Sequence, residues 1–265
     1  MTKGLFAPSD FDFFIKLTNS AGAKALALQK KGIEVQRKKD STIVTEADYF
    51  IQSLLISEIS DKYPHFNFIH EENFKKSGSI ITDETISIII DPIDGTAMFS
   101  MYLPIWCISI GVFKGFDPVY GFVYSPGSDM FFYTDDDNTY LNGIKLTVDR
   151  NMSIDSETNI FCSSETVIRG SKFPGKIRNL GSTALHACLT ADNRRNRLLA
   201  FIGQSFLWDW AGAIPVILKA GGNIKYIDGS EINIKKIIEN GYALEQSAVA
   251  YNSTNFESVK AYFAD

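Results

Sequence analysis

The chain has 265 residues, of which 45% are hydrophobic and 13% aromatic, and its formal net charge is -5. A chain of this length buries about three quarters of its unfolded surface, so it can hold a core without disulfides or structural metals. The net negative charge argues against nucleic acid and against an anionic membrane surface as the main partner.

The cysteines and the N-terminus bear on the compartment. Cys107, Cys162 and Cys188 lie far apart and match neither a zinc-site spacing nor a disulfide framework, so we expect them as small core residues. The N-terminus shows no signal-peptide pattern, and no apolar run approaches the ~20 residues of a membrane span. These features predict a soluble cytoplasmic protein with no membrane partner.

The first half of the chain predicts two helices and then a β-rich region. Apolar residues recur at helical spacing over residues 9–31 and 45–60, and Thr45 followed by Asp48 resembles a capping box. A short strand is expected over residues 66–69, where it leads into the sequence His-Glu-Glu. Further strands are expected over residues 105–113, 118–125 and 129–133.

The second half alternates between helices and strands. Strands are expected over residues 160–162, 177–180, 198–202, 224–226 and 248–251, and helices over residues 183–191, 209–219 and 256–263. Mixed layers of this kind indicate a stacked α/β or α+β architecture. The length suits one catalytic domain over 1–265, or two tightly packed lobes of about 1–150 and 151–265.

Residues 91–96, Asp-Pro-Ile-Asp-Gly-Thr, are the most informative stretch, and they follow a β-branched run at 86–90 that predicts a buried strand. Pro92 cannot donate to a sheet ladder, so we expect the strand to end there. Two acids in a tight turn repel each other unless a cation lies between them, and Mg²⁺ prefers such oxygen ligands. Gly95 and Thr96 would offer backbone N–H groups to an anion. The turn therefore fits phosphate chemistry, although Asp-Pro and Asp-Gly are also common turn dipeptides.

Acidic residues also lie at the ends of other elements. Asp48 falls in the first turn of the second predicted helix, where an acid commonly only complements the helix dipole. Glu71 and Glu72 follow a strand, and such a pair is usually exposed. Asp209 lies between two tryptophans ahead of an apolar helix, a setting in which an acid tends to be buried and needs a partner.

Taken together, these segments resemble the inositol monophosphatase family of magnesium-dependent, lithium-sensitive phosphatases. The matching stretches occur in family order within about residues 10–250, namely 45–48, 71–72, 91–96 with Phe99, 181–184 and 208–212. The resemblance implies an α+β fold, a layered αβαβα sandwich of the inositol monophosphatase and sugar phosphatase type. It also implies a homodimer and inhibition by lithium.

The resemblance also implies a set of metal ligands. Glu71, Asp91 and the backbone carbonyl of Ile93 would hold a first Mg²⁺ ion. Asp94 and Asp209 would join Asp91 around a second ion, and Glu71 would contribute to a weaker third. Two cations about 3.5–4 Å apart neutralise a phosphate ester and clamp its incoming and outgoing oxygens.

The positions of the phosphate and of the attacking water follow from the same resemblance. Gly95 and Thr96 would bind phosphate oxygens through their N–H groups, and Asp48 would accept a hydrogen bond from the Thr96 hydroxyl. Thr96 and Glu71 would orient a metal-activated water for direct in-line attack, without a phospho-enzyme. Substrate contacts would come from Asp94, Gly181, Ser182, Thr183 and Asp209.

The chain departs from the family pattern at positions that affect substrate choice. Inositol-preferring members carry a Glu at the position of Ile202, and isoleucine cannot hydrogen-bond a hydroxyl, which argues against a strict inositol preference. His70 stands where the family usually has Gly, and it would either enter the pocket or lie at the surface. A basic set would either bind a second phosphate or form a solvated loop: Arg169, Lys172, Lys176 and Arg178.

The sequence therefore predicts a Mg²⁺-dependent phosphomonoesterase that acts on a small phosphorylated metabolite. Alternatives on the same fold are a 3'(2'),5'-bisphosphate nucleotidase, a fructose-1,6-bisphosphatase and a histidinol-phosphate phosphatase. A non-catalytic member kept for binding or dimerisation would leave the acidic ligands without a role. A calcium-binding module would need more ligands than this turn supplies.

Overall fold

The structure is a computed structural model, and it describes residues 4–32, 35–37, 43–72, 81–163 and 173–262, without the side chains of residues 35–37 and 43. Arg169 and Lys172 of the predicted basic set lie outside the described residues. The helices are Pro8–Lys31 (α1), Glu46–Lys62 (α2), Thr96–Ser100 (α3), Thr183–Leu189 (α4), Asn193–Asn196 (α5), Leu207–Ala211 (α6), Ala213–Lys219 (α7), Ile234–Glu239 (α8) and Phe256–Lys260 (α9).

The strands form a large sheet, a small sheet and a short antiparallel pair. In chain order they are Val35–Arg37 (β1), Ile43–Thr45 (β2), Asn67–His70 (β3), Ile86–Asp94 (β4), Cys107–Lys114 (β5), Asp117–Ser125 (β6), Met130–Thr134 (β7), Thr139–Leu141 (β8), Ile144–Leu146 (β9), Asn159–Cys162 (β10), Lys176–Arg178 (β11), Leu198–Gly203 (β12), Asn223–Tyr226 (β13) and Ala248–Tyr251 (β14).

The large sheet has the order β3-β4-β5-β6-β7-β8-β9, and only its β3–β4 pair is parallel among these neighbours. The small sheet has the order β11-β10-β12-β14-β13, with β10 parallel to both of its neighbours and β14 antiparallel to both of its own. Strands β1 and β2 pair with each other.

The layers follow from the alternation of side chains along each strand. In β4, Ile88 and Ile90 pack in one core with α1 and α2, whereas Ile89 faces the central helices α4, α6 and α7. The small sheet covers the other side of these helices with Phe161 and Phe201, and its outer face packs on α9. The order is helix, sheet, helix, sheet, helix, so the predicted layered α+β sandwich is confirmed.

Helices α1 and α2 both begin at carboxylate caps. At the start of α1, Asp10 Oδ2 accepts the N–H of Ala7 at 2.9 Å. At the start of α2, Thr45 donates to Asp48 Oδ2 from its N–H at 2.8 Å and from its hydroxyl at 2.6 Å. The predicted pairing of Thr45 with Asp48 is thus confirmed, and it fixes a fully buried carboxylate in the first turn of α2.

Glycines on the large sheet let the central helices lie directly on its surface. A Cβ atom at Gly121 of β6 would lie 2.0 Å from the carbonyl oxygen of Gly212, which joins α6 to α7. A Cβ atom at Gly111 of β5 would lie 2.5 Å from the carbonyl oxygen of Ala211. Backbone therefore packs on backbone here, and the close contact sets the height of α6 above the sheet.

Several element boundaries differ from the sequence prediction, and two of these differences bear on the site. The prediction that β4 ends at Pro92 is wrong, because the strand continues to Asp94 through a shift of register. Pro92 lies within the shift, where a missing N–H donor is tolerated. The helix predicted over residues 209–219 begins at Leu207 and is divided at Gly212 into α6 and α7.

Among the described helices, none combines the length and the apolar character that crossing a bilayer would require.

We expect Gly121→Ala to lower the free energy of unfolding by about 1–3 kcal/mol, because the new methyl group would displace α7 from the sheet. Urea unfolding followed by circular dichroism measures the change. The control is Lys145→Ala, which shortens an exposed side chain of β9 and should shift stability by less than about 0.5 kcal/mol. Wild-type stability for Gly121→Ala would contradict this close packing.

Candidate active site

A β-bulge places two aspartates of β4 on one face of the large sheet. Asp91 pairs with Ser109 and Asp94 pairs with Cys107, so three steps along β4 match two steps along β5. In a regular strand, residues three apart point to opposite faces. The extra residue cancels this inversion, so both carboxylates point toward the central helices, where they are 1% and 5% exposed.

Asp209 approaches the same point from the start of α6. Its Oδ2 accepts the backbone N–H of Phe206 at 2.8 Å, a capping bond that fixes the side chain. Carboxylate oxygens of Asp91, Asp94 and Asp209 lie within 4.8 Å of one another. The structure therefore brings together three of the residues that the sequence predicted as metal ligands. We call these three residues the acidic cluster.

Glu71 lies beside the acidic cluster at the end of β3. Its N–H donates to the carbonyl of Ile90 at 3.4 Å, and its charge is one of the causes that raise the pKa of Asp91. Its neighbour Glu72 is buried, against the expectation of an exposed pair. The Gln52 amide donates to the Glu72 carbonyl at 3.3 Å and accepts the Glu72 N–H at 3.2 Å. Gln52 thus holds the backbone next to Glu71.

Asp48 and Thr96 meet as predicted. The Thr96 hydroxyl lies 3.3 Å from Asp48 Oδ1 and 3.0 Å from the carbonyl oxygen of Ile93. Gly95, just before α3, has a φ of +93°, and a Cβ atom there would lie 3.0 Å from the carbonyl oxygen of Gly181. Both constraints favour glycine. Thr96 opens α3, so its N–H has no partner within the helix.

Asp94 is held by donors from two other elements. Its Oδ2 accepts the Ser182 hydroxyl at 2.5 Å and the Ala184 N–H at 2.7 Å, and the Cys107 thiol lies 3.6 Å away. Its Oδ1 accepts a single, longer bond of 3.2 Å from the Thr183 N–H. Oδ1 is therefore the Asp94 oxygen with capacity for a further ligand. Ser182 itself is buried beneath the site rather than at its surface.

The carboxylates of the acidic cluster are held in an unfavourable environment. Burial raises the pKa of Asp91 well above its ordinary value, and the neighbouring charges of Glu71, Asp94 and Asp209 raise it further. Burial and then the charge of Asp209 raise the pKa of Asp94 to about 7, although its hydrogen bonds act in the opposite direction. Hard oxygen donors that repel one another fit a divalent cation, which would offset the repulsion.

The sequence matches the family model of the inositol monophosphatase family over residues 12–263. The chain belongs to the inositol monophosphatase family. It is therefore a phosphatase, a phosphoric monoester hydrolase.

Relatives and solved structures agree with this assignment. Inositol monophosphatase 1 of Solanum lycopersicum is 30% identical over 239 residues, 83% of this chain and 87% of the relative. The fructose-1,6-bisphosphatase/inositol-1-monophosphatase of Thermotoga maritima is 28% identical over 229 residues, 84% of this chain and 86% of the relative. A solved inositol monophosphatase from Thermotoga maritima superposes with a TM-score of 0.79 at 26% identity, covering 95% of both chains.

Two positions at which the chain departs from the family pattern, Ile202 and His70, direct their side chains away from the acidic cluster. Ile202 is fully buried in the core under the outer face of the small sheet, so it presents no group to a substrate hydroxyl. His70 pairs in register with Ile90, which faces α1 and α2, so its ring points to the outer layer. Burial lowers the pKa of His70, and its Nδ1 is a buried atom without a hydrogen-bond partner in the described structure.

Lys176 and Arg178 do not form a phosphate site with the acidic cluster. Lys176 forms an ion pair with Glu157 at 2.5 Å, and Arg178 Nε donates to Asn159 Oδ1 at 2.9 Å. Both contacts are exposed, at the β10–β11 edge of the small sheet. Of the two alternatives for this basic set, solvent exposure therefore describes Lys176 and Arg178 better than a second phosphate site does.

The sequence analysis missed Gln52 and Cys107. Gln52 is a buried polar residue on the apolar face of α2 that includes Ile51 and Leu55, and this polar interruption was a usable signal. Cys107 gave no such signal, because its contact with Asp94 depends on the register that the bulge creates.

The raised pKa of Asp94 predicts a pH dependence of the metal-free phosphatase. Between about pH 4 and pH 7 the folded protein keeps a proton that the unfolded chain has released, since the ordinary pKa is 3.8. This contribution to stability is therefore lost as pH rises through about 7. Thermal unfolding in chelator should show a smaller decline with pH in Asp94→Asn than in the wild type. Equal declines would show that Asp94 does not hold this proton.

Ser182→Ala should weaken the binding of Mg²⁺ by about 10–100-fold, because the hydroxyl that orients Asp94 is lost. The measurement is the Mg²⁺ concentration that gives half of the maximal rise in melting temperature. Ser182→Thr keeps a hydroxyl and should bind Mg²⁺ nearly as the wild type does. Ser125→Ala removes another fully buried hydroxyl, one that contacts Ser128, and should leave Mg²⁺ binding unchanged. A Ser182→Ala midpoint equal to the wild type would contradict the role of the hydroxyl.

Proposed function

We propose that this protein is a Mg²⁺-dependent phosphomonoesterase that hydrolyses a small phosphorylated metabolite. The observation that carries the proposal is the acidic cluster itself. Its carboxylates come from β4 and α6, lie within 4.8 Å of one another, and have raised pKa values at Asp91 and Asp94. Few arrangements other than a cation site account for so many buried acids beside a Gly-Thr helix start.

The proposed ligands divide into two groups. Glu71, Asp91 and the Ile93 carbonyl would hold one Mg²⁺ ion, with Glu71 also contributing to a weaker third ion. Asp94 Oδ1 and Asp209, with Asp91, would hold the other. When bound, such ions neutralise the doubly charged ester and lower the pKa of water, which supplies the nucleophile at neutral pH.

The chain's own residues would position the reacting groups. The N–H groups of Gly95 and Thr96 would bind phosphate oxygens at the start of α3. With the Ile93 carbonyl bound to the metal, the Thr96 hydroxyl would donate to Asp48 Oδ1, which lies 3.3 Å away, and its lone pairs would accept a hydrogen bond from water. Glu71 would accept the other water proton. Water would then attack the phosphorus directly, in line with the leaving alcohol, so no phospho-enzyme forms.

The choice among small phosphate esters depends on the residues that contact the alcohol part of the substrate. A relative from Thermotoga maritima carries the name of both a fructose-1,6-bisphosphatase and an inositol-1-monophosphatase, so the family signature spans several small phosphate esters. The proposed substrate contacts are two members of the acidic cluster, Asp94 and Asp209, together with the neighbouring segment 181–183 (Gly181, Ser182 and Thr183). The buried Ile202 speaks against a strict inositol preference.

We infer that residues 1–265 act as one catalytic domain, because the central core takes side chains from Ile69 to Ala250 and so spans both predicted lobes. The homodimer, the lithium sensitivity and the cytoplasmic location stay predictions.

Asp209→Asn should lower kcat/KM for a small phosphate monoester by at least about 100-fold, because a metal-binding carboxylate becomes a neutral amide. Release of inorganic phosphate in Mg²⁺, and its loss on addition of chelator, is the measurement. The control Asp192→Asn alters a buried aspartate outside the acidic cluster, which pairs with Arg195, and should retain activity. Full turnover by folded Asp209→Asn would remove the proposed role of this residue.

A further inference from the structure

An aromatic surface lies beside Asp209. Phe206 precedes α6, and this residue is 40% exposed. Its ring stacks on that of Trp208, with ring centroids 4.7 Å apart and an angle of 9° between the planes. The Trp208 ring contacts Tyr242 at 5.9 Å. We call Phe206, Trp208 and Tyr242 the aromatic platform.

The platform is held in place by backbone bonds. Phe206 forms a β-bridge with Ala243, and the N–H of Leu207 donates to the Tyr242 carbonyl at 2.7 Å. Trp208 is 3% exposed, so the indole forms a buried support under the Phe206 ring. A ring held by stacking and by its backbone has little freedom left to lose when a ligand binds.

The platform is next to the proposed phosphate chemistry. The N–H of Phe206 donates to Asp209 Oδ2 at 2.8 Å, so the backbone that carries the ring is in contact with the acidic cluster. A phosphate ester at the cluster would therefore have its alcohol part within reach of this ring. The chemistry of that alcohol is then the open question.

An exposed phenylalanine attracts a planar ring more strongly than a polyhydroxylated one, because its face offers stacking but no hydrogen bond. The acidic side chain that inositol-preferring members are expected to use for a ring hydroxyl is missing, since the residue at that position, Ile202, is apolar and fully buried. We propose that the aromatic platform stacks a planar aromatic ring in the alcohol part of the substrate, as in a nucleoside monophosphate. This proposal rests on the proposed phosphatase activity and specifies its substrate class.

Two esters that share one sugar phosphate test the proposal. Adenosine 5'-phosphate and ribose 5-phosphate differ by the base, so their ratio of kcat/KM reports the contribution of the ring. With Mg²⁺ and the full chain, we expect the wild type to prefer adenosine 5'-phosphate by about 10-fold or more, mainly through a lower KM. Phe206→Ala should abolish most of this preference, because kcat/KM should fall much further for adenosine 5'-phosphate than for ribose 5-phosphate, while Phe206→Tyr should retain the preference.

The control variant is Leu218→Ala, which removes another exposed apolar side chain at the end of α7 and should keep the preference. Quenching of tryptophan fluorescence by adenosine 5'-phosphate, and not by ribose 5-phosphate, would give the same answer without turnover.

The outcomes separate the two proposals. If the protein hydrolyses neither ester and no other small phosphate monoester, the phosphatase proposal is refuted. Equal hydrolysis of both esters, unaffected by Phe206→Ala, would overturn the platform alone. An equal loss on both esters in Phe206→Ala would also overturn it, because the residue would then act only through Asp209.

Discussion

The one-residue bulge in β4 is the constraint on which the site depends. Asp91 and Asp94 are three residues apart, and in an unbroken strand one of them would point into the outer core with Ile88 and Ile90. The bulge turns both toward the central helices, and Pro92 is tolerated because it lies within the irregularity. A change that restored regular pairing would separate the carboxylates and bury one of them among isoleucines.

Packing then forces like charges together. Gly111 and Gly121 let the backbone at the α6–α7 junction lie on the sheet, and this contact brings Asp209 to the aspartates of β4. The protein holds the carboxylates there with raised pKa values at Asp91 and Asp94, so the metal-free site opposes folding at neutral pH. Such local conflict, supported by a well-packed surround, is typical of functional sites.

The predictions succeeded where a pattern is local. Helix α1 was expected over residues 9–31 and spans Pro8–Lys31, and β14 was expected with its observed bounds, Ala248–Tyr251. Helix α8 was missed because its six residues are too few to show a helical period, and only the Asn233 cap marks its start. The end of β4 was misplaced because proline alone does not reveal a bulge.

The family, the layered α+β class and the acids that border the site could be predicted before any coordinates, because these depend on residue identity and on spacing along the chain. The occupied oxygen of Asp94, the support that Gln52 and Cys107 give to the ligands, and the orientation of His70 and Ile202 became evident from the folded arrangement. These outcomes depend on strand register and on contacts between elements distant in sequence. No local pattern in the sequence reveals these outcomes, because each depends on how several elements pack together.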